Sequence, residues 1–184
     1  AGDSADKVRA AAEWVISLGG GVVPEGSKGG PVKNVAVLPA GELSLDAVVF
    51  DGVANGAITD ADLRRMLPEL KSLSRLEIRN SPGLLKAVTH DGFKPLATLY
   101  QLETLALEDA PLRDDDLVFL SGLPLLRDIN LSRTGVTGTG LNRMRGKLDR
   151  LVLRGCPVNE DGARAIAALQ GLQVLDLTDS TATD

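Results

Sequence analysis

Cysteine and histidine occur once each in 184 residues. One Cys excludes an intrachain disulfide framework and a Cys-based zinc cluster; one His excludes a multi-histidine metal site. Aromatics number five, Trp14, Phe50, Phe93, Tyr100 and Phe119, so something else must fill the core. Basic residues give no surplus: 20 Lys and Arg stand against 25 Asp and Glu, a net charge of −5. That balance argues against nucleic acid or an anionic membrane as a partner. No apolar run approaches the roughly 20 residues of a membrane span, so direct membrane insertion is not expected. The chain opens at Ala1 with no Met and no charged-then-apolar leader. This start fits a cleaved signal peptide and a fragment boundary equally, and one Cys suits oxidising and reducing compartments alike.

Leucine is what the chain has in excess, 31 residues within a 43% apolar and 24% charged composition. Such a composition excludes disorder, and the length suits one domain with a sizeable core. The leucines are periodic. An apolar-x-x-apolar-x-apolar pattern recurs as Leu45/Val48/Phe50, Leu73/Leu76/Ile78, Leu102/Leu105/Leu107, Leu126/Ile129/Leu131, Leu148/Leu151/Leu153 and Leu172/Leu175/Leu177. Successive copies start 28, 29, 24, 22 and 24 residues apart. A second pattern follows each strand: Ile58-Thr-Asp-Ala-Asp-Leu63, Val88-Thr-His-Asp-Gly-Phe93, Leu112-Arg-Asp-Asp-Asp-Leu117, Val136-Thr-Gly-Thr-Gly-Leu141 and Val158-Asn-Glu-Asp-Gly-Ala163. A last copy begins at Ala182, Thr183 and Asp184.

Alternation in the first pattern is a short strand with one buried face. Thr59, Thr89 and Thr137 stand where helix N-caps belong, and Thr59 with Asp62 has the form of a capping box. Helical returns are expected over stretches such as 62–70 and 162–169. A strand-turn-helix unit cannot bury its own apolar face, whereas stacked units bury a continuous core. Leu105, Leu131 and Leu153 are expected to form one buried row.

These motifs resemble the leucine-rich-repeat family over about Leu43 to Asp184. The small position three places after the last strand apolar reads Val53, Ser81, Ala110, Thr134, Cys156 and Ser180. The unit is similar to the cysteine-containing subclass and to bacterial repeats with a V-T-D-x-G-L core, although one of the six small positions is Cys. The resemblance implies an α/β right-handed solenoid with a parallel concave sheet and helices on the convex face. It also implies a protein partner and a scaffold-like, non-catalytic role, with no cofactor and no metal.

The organisation expected is a cap over residues 1–42 and a repeat solenoid over 43–184 in one continuous domain. Residues 4–18 read as an amphipathic helix capped by Asp3 or Ser4, with Val8, Ala11, Ala12 and Val15 on one face and Gly19 to Gly21 ending it. Val22-Val23 and Val35 to Leu38 read as two cap strands around a Gly-rich loop. An open solenoid end would expose apolar surface and a raw strand edge, which a cap covers.

Several chemical motifs fail on inspection. Residues 21–28 lack the G-K-[S/T] order of a phosphate loop and do not open a helix. His90 beside Asp91 lacks a nucleophile and an orienting partner, and reads as a solvated or capping residue. Cys156 reads as a buried structural thiol. Asp114 to Asp116 lack the interleaved loop and far Glu of a calcium hand, and read as acids at a helix N-terminus. The Asn130-Leu131-Ser132 sequon lies inside a strand.

Residues between the strand apolars point outward in three lanes. The first is Ala47, Arg75, Thr104, Asp128, Arg150 and Val174; the second is Val49, Glu77, Ala106, Asn130, Val152 and Asp176; the third is Asp51, Arg79, Glu108, Ser132, Arg154 and Thr178. Charges alternate along them, which reads either as self-neutralising cross-strand pairs or as a polar binding surface. The loops after the strands decide where a partner would sit. Regular units take five residues from the last strand apolar to the next aliphatic, as from Leu107 to Leu112, but Phe50 to Ile58 takes eight and Ile78 to Val88 takes ten. Both insertions leave the same sheet edge, where function commonly resides. A binding site is expected from Asn55, Pro82, Gly83, Leu84, Arg79 and Glu108, flanked by Arg75 and Glu77. The alternative for Leu84 and Leu85 is that they fold back over the core. Two rival functions are a structural spacer in a larger protein and, more remotely, a hydrolytic enzyme.

Overall fold

The computed structural model describes residues 2–144 and 148–181, with side chains from Ala5 onward. Ala182 to Asp184, where the last copy of the second pattern begins, lie outside the described residues. A helix α1 (Gly2–Ser17) leads into a seven-stranded sheet in sequential order: β1 (Gly21–Pro24), β2 (Leu45–Asp51), β3 (Arg75–Arg79), β4 (Thr104–Leu107), β5 (Asp128–Asn130), β6 (Arg150–Val152) and β7 (Val174–Asp176). All pairs from β2 to β7 are parallel, one strand per repeat. Each strand with its return is called a rung here, the first starting at β2.

Register sets the three lanes as the alternation requires: Ala47, Arg75, Thr104, Asp128, Arg150 and Val174 stand side by side. The opposite face is apolar and buried, from Val48 and Phe50 through Leu105, Ile129, Leu131, Leu151 and Leu153. Leu105 aligns with Ile129 and Leu151, so it is not in the row of Leu131 and Leu153. The pleat assigns residues two apart to neighbouring positions on one face, and Leu107 continues the row of Leu131. In the middle lane Ala106 and Val152 are buried although they lie on the concave face.

Chain reversal after each strand uses one recurrent device. Two residues past the last strand apolar, Gly52, Asn80, Asp109, Arg133, Gly155 and Asp179 all adopt positive φ, between 48° and 72°. Left-handed backbone is costly for residues other than Gly, and Asn and Asp tolerate it best. Four of these N–H groups donate to the next rung's third-lane carbonyl: Gly52 to Arg79, Asp109 to Ser132, Arg133 to Arg154 and Gly155 to Thr178.

The returns are shorter and tighter than the expected helices. The first holds α2 (Asp60–Met66), extended by a 3-10 turn at Leu67–Glu69. The second begins with α3 (His90–Phe93) and continues as a 3-10 turn at Lys94–Thr98. The third and fourth are 3-10 turns at Asp114–Phe119 and Thr139–Arg143, and the fifth is α4 (Glu160–Ala167). Thr59 caps α2 and Asp62 completes the box by accepting from the Thr59 N–H at 2.9 Å. Thr89 and Thr137 do not cap their own turns. They donate instead to Asp60 and Asp114 of the preceding rung.

The N-terminal segment differs from expectation in two ways. Helix α1 starts at Gly2, which puts Asp3 and Ser4 within its first turn. Its buried stripe is Val8, Ala11, Ala12 and Val15, and Trp14 meets Phe50 edge to face at 6.4 Å. Gly19, at φ 86°, ends it in a left-handed cap with Gly20 N–H on Val15 O at 3.0 Å. Among the described residues there is no separate two-strand cap. Strand β1 pairs antiparallel with β2 and so closes the main sheet, while Val35–Val37 is a 3-10 turn. Asn34 caps that turn by accepting from the Ala36 N–H, and Val37 is 63% exposed, so the run has neither a strand partner nor a buried face. Arg9 ties the following segment to α1 through Pro39 O and Gly41 O.

Candidate functional site: the loop edge and concave sheet

The two long loops lie on the first and second rungs and are bonded to each other. Ile58 N–H donates to Leu84 O at 2.8 Å, and Val53 N–H donates to Ser81 Oγ at 3.0 Å. Ser81 is buried and its hydroxyl donates in turn to Arg79 O at 2.8 Å. Leu84 and Leu85 are each 2% exposed. They fold back over the core, and Leu84 therefore does not present its side chain to a partner. Asn55, Pro82 and Gly83 are exposed at the loop tips.

Arg75, Glu77 and Arg79 flank the loops on β3, all partly exposed. Arg79 Nη2 donates to Glu77 Oε1 at 3.1 Å. Its Nε, buried, is the one side-chain nitrogen or oxygen among the described residues that is buried without a hydrogen-bond partner. Glu108, with an 11% exposed side chain, is a hub. Its Oε2 accepts from Asn80 N–H at 3.1 Å and Arg133 Nη2 at 2.8 Å, and its Oε1 accepts from Asn130 Nδ2 at 2.8 Å. Asn80 Nδ2 reaches Asp51 Oδ1 at 2.9 Å. Glu108 thus positions the loop base and has little capacity left for a ligand.

Asn80 and Arg133 escaped the sequence reading, and Ser81 and Asn130 entered it only as a small position and a lane residue. Asn80 and Arg133 lie at the left-handed turn position, which Gly fills in two of six rungs, so composition gave no signal. The Arg133 fork takes Asp109 at 2.8 and 3.0 Å. Hydrogen bonds to Asp109, and then to Glu108, push the Arg133 guanidinium further up, against the effect of burial. Burial raises the Asp128 carboxyl, and the opposing pull of Arg150 and Arg79 does not cancel it. Toward β7 the lanes pair Arg150 with Asp128 and Arg154 with Asp176, at 3.7 and 3.9 Å.

The convex candidates resolve differently. His90 Nδ1 lies 2.5 Å from Asp116 Oδ1, with its ring tilted against Phe119. Asp116 Oδ2 accepts from Arg113 N–H. Cys156 is fully buried, its thiol on Leu131 O at 3.1 Å. Among the described residues no three His, Cys, Asp or Glu side chains are grouped to hold a metal ion, and no helix is long and apolar enough to cross a membrane.

This architecture is the leucine-rich-repeat fold. The chain is similar to the leucine-rich-repeat ectodomain of the receptor kinase SOBIR1 from Arabidopsis thaliana, with a TM-score of 0.55 and 16% identity over 95% of this chain and 93% of that one. Matches also include a plant ice-binding protein (TM-score 0.45, 20% identity, 75% of this chain and 50% of that chain) and an internalin from Listeria monocytogenes (0.42, 19%, 74% and 43%). No protein-family model matches the sequence, and no curated protein matches it significantly.

Proposed function

We propose that this chain is a non-catalytic protein-interaction module. Its partner seats on the loop edge at Asn55, Pro82 and Gly83 and on the adjoining strand residues Arg75, Glu77 and Arg79. The observation that carries this reading is the ordered pair of insertions. Extra loop length costs conformational freedom, yet here it is held by the Ile58–Leu84 and Val53–Ser81 hydrogen bonds and by buried Leu84 and Leu85. Tips on a fixed base bind with less ordering cost than floppy ones. Glu108 supports the site by holding Asn80 and Arg133.

The three lanes of this face carry no Trp or Tyr anchor. Its charges are mixed and largely paired, so partner association is steered by electrostatics and weakens with salt. The test is site-specific photo-crosslinking from Pro82 and, as a control, from exposed Val118 on the convex side. A partner is expected from Pro82 alone, and its affinity for the purified chain is expected to fall on Arg75→Glu with an unchanged melting curve. Crosslinks confined to Val118 would move the interface to the convex face.

A further inference from the structure

Four steps in the chain place Asn or Asp before Gly: Asp51-Gly52, Asn55-Gly56, Asp91-Gly92 and Asp161-Gly162. Such steps are chemically labile when the glycine amide nitrogen is free to reach the preceding side-chain carbon, since glycine offers no side chain to obstruct it. Three of the four are restrained. Gly52 N–H donates to Arg79 O at 3.3 Å, Gly92 N–H to Thr89 O at 2.9 Å, and Gly162 N–H to Asn159 Oδ1 at 2.7 Å. The fourth is not. Among the described residues, neither the Gly56 N–H nor the Asn55 carboxamide has a hydrogen-bond partner. Residues 54–57 are all exposed. The other turn asparagine, Asn80, is held through its N–H by Glu108 and through its amide by Asp51.

We propose that Asn55 is a deamidation site of the folded protein. The Gly56 amide nitrogen loses its proton to solvent base and attacks Asn55 Cγ. The bond from Cγ to the side-chain nitrogen breaks, and that nitrogen takes up a proton and leaves as ammonia. Water then adds to either carbonyl carbon of the five-membered imide, which opens to aspartate or isoaspartate. The reaction needs only water, and no electrons change hands. The product places a carboxylate four residues beyond Asp51. The isoaspartate form also lengthens the backbone just before Ile58, whose N–H is anchored on Leu84 O. That this alters partner binding rests on the function proposed above; the chemistry does not.

The test follows the full chain at mildly alkaline pH, folded and in urea. Isoaspartate is read by enzymatic methylation, and its position by peptide mass mapping. At Asn55 the folded and unfolded rates are expected to be similar. At the three Asp-Gly steps folding is expected to slow isoaspartate formation about fivefold, the population shift that one hydrogen bond's usual net worth corresponds to. Asn55→Gln is expected to remove the folded-state signal. Suppression at Asn55 as strong as at the Asp-Gly steps, or a folded-state signal that survives Asn55→Gln, would overturn the proposal.

Discussion

Asp114 of the third rung holds Thr137 of the fourth. One carboxylate oxygen accepts the Thr137 N–H at 2.9 Å and its hydroxyl at 2.8 Å, and the other accepts the Gly140 N–H at 2.8 Å. Asp60 holds Thr89 between the first and second rungs with both oxygens, Oδ1 accepting the N–H at 2.7 Å and Oδ2 the hydroxyl at 2.6 Å, while the Gly92 N–H stays on Thr89 O. The fit depends on glycine in the receiving rung: a Cβ at Gly92 would strike the Asp60 carboxylate, and one at Gly140 the Asp114 carbonyl. In the rungs that supply the carboxylate the same position is Asp62 or Asp116, each turning back to accept the N–H of its own Thr59 or Arg113. Over the first four rungs the convex edge therefore alternates Asp-x-Asp with Thr-to-Gly, and the fifth, Asn159 to Gly162, breaks the alternation and caps its own helix.

Removing this clamp isolates its worth. Asp114→Ala leaves the Thr137 and Gly140 donors without their acceptor and is expected to cost about 1–3 kcal/mol in urea unfolding. Asp115→Ala, at an 87% exposed side chain, is expected to stay within about 0.5 kcal/mol of wild type. Equal effects of the two would remove the clamp from the account.

Acid stability should follow the same carboxylates. Burial alone would raise Asp114, but bonds from Gly140 and Thr137 hold its carboxyl below the usual range, and Thr89 does so for Asp60. A folded-state value below the unfolded one gives stability that is complete above the ordinary carboxylate range, near about 4, and is lost as pH falls through the depressed values. Asp114→Asn is expected to flatten the acid limb of a stability–pH curve. Asp128 has the opposite sign: burial raises it, so Asp128→Asn is expected to be neutral or stabilising at neutral pH. A steep loss for Asp128→Asn would contradict this sign.

Backbone proximity on the convex side predicts intolerance to one methyl group. Gly140→Ala forces a Cβ against backbone and is expected to cost about 1–3 kcal/mol as overpacking. Gly122→Ala, with nothing within 4 Å of the added carbon, is expected to leave the melting temperature in place. Calorimetry on the pair decides.

The interior row gives the largest effect. Leu131 is fully buried, and Leu131→Ala is expected to cost about 2–5 kcal/mol. Because each rung touches only its neighbours, lost protection should spread to both sides of β5 in hydrogen exchange. A melting curve that overlays wild type would refute this placement.

Strand positions and lanes were legible because alternation is a local pattern that a half-buried strand enforces. The loop edge was legible from the eight- and ten-residue spacings. Val35 to Leu38 was misread because four apolar residues carry β propensity whatever their neighbours; pairing of β1 with β2 and the Asn34 cap left them without an edge to join. Leu84 read equally as tip or core, and only its tertiary place separates the two. The clamp of Thr137 by Asp114 spans 23 residues, beyond any capping pattern along the chain. Arg133 shows the limit most clearly: a residue that disfavours positive φ takes it at the position where every rung reverses, with its guanidinium held by Asp109 and Glu108.

Hydrogen exchange on the chain with and without its cross-linked partner purified and added back tests the binding edge most directly. Slowed exchange is predicted at residues 52–57, 80–87 and β3, with the convex turns at Lys94–Thr98 and Asp114–Phe119 unchanged. Slowed exchange confined to those convex turns, with the loops unaffected, would contradict the account.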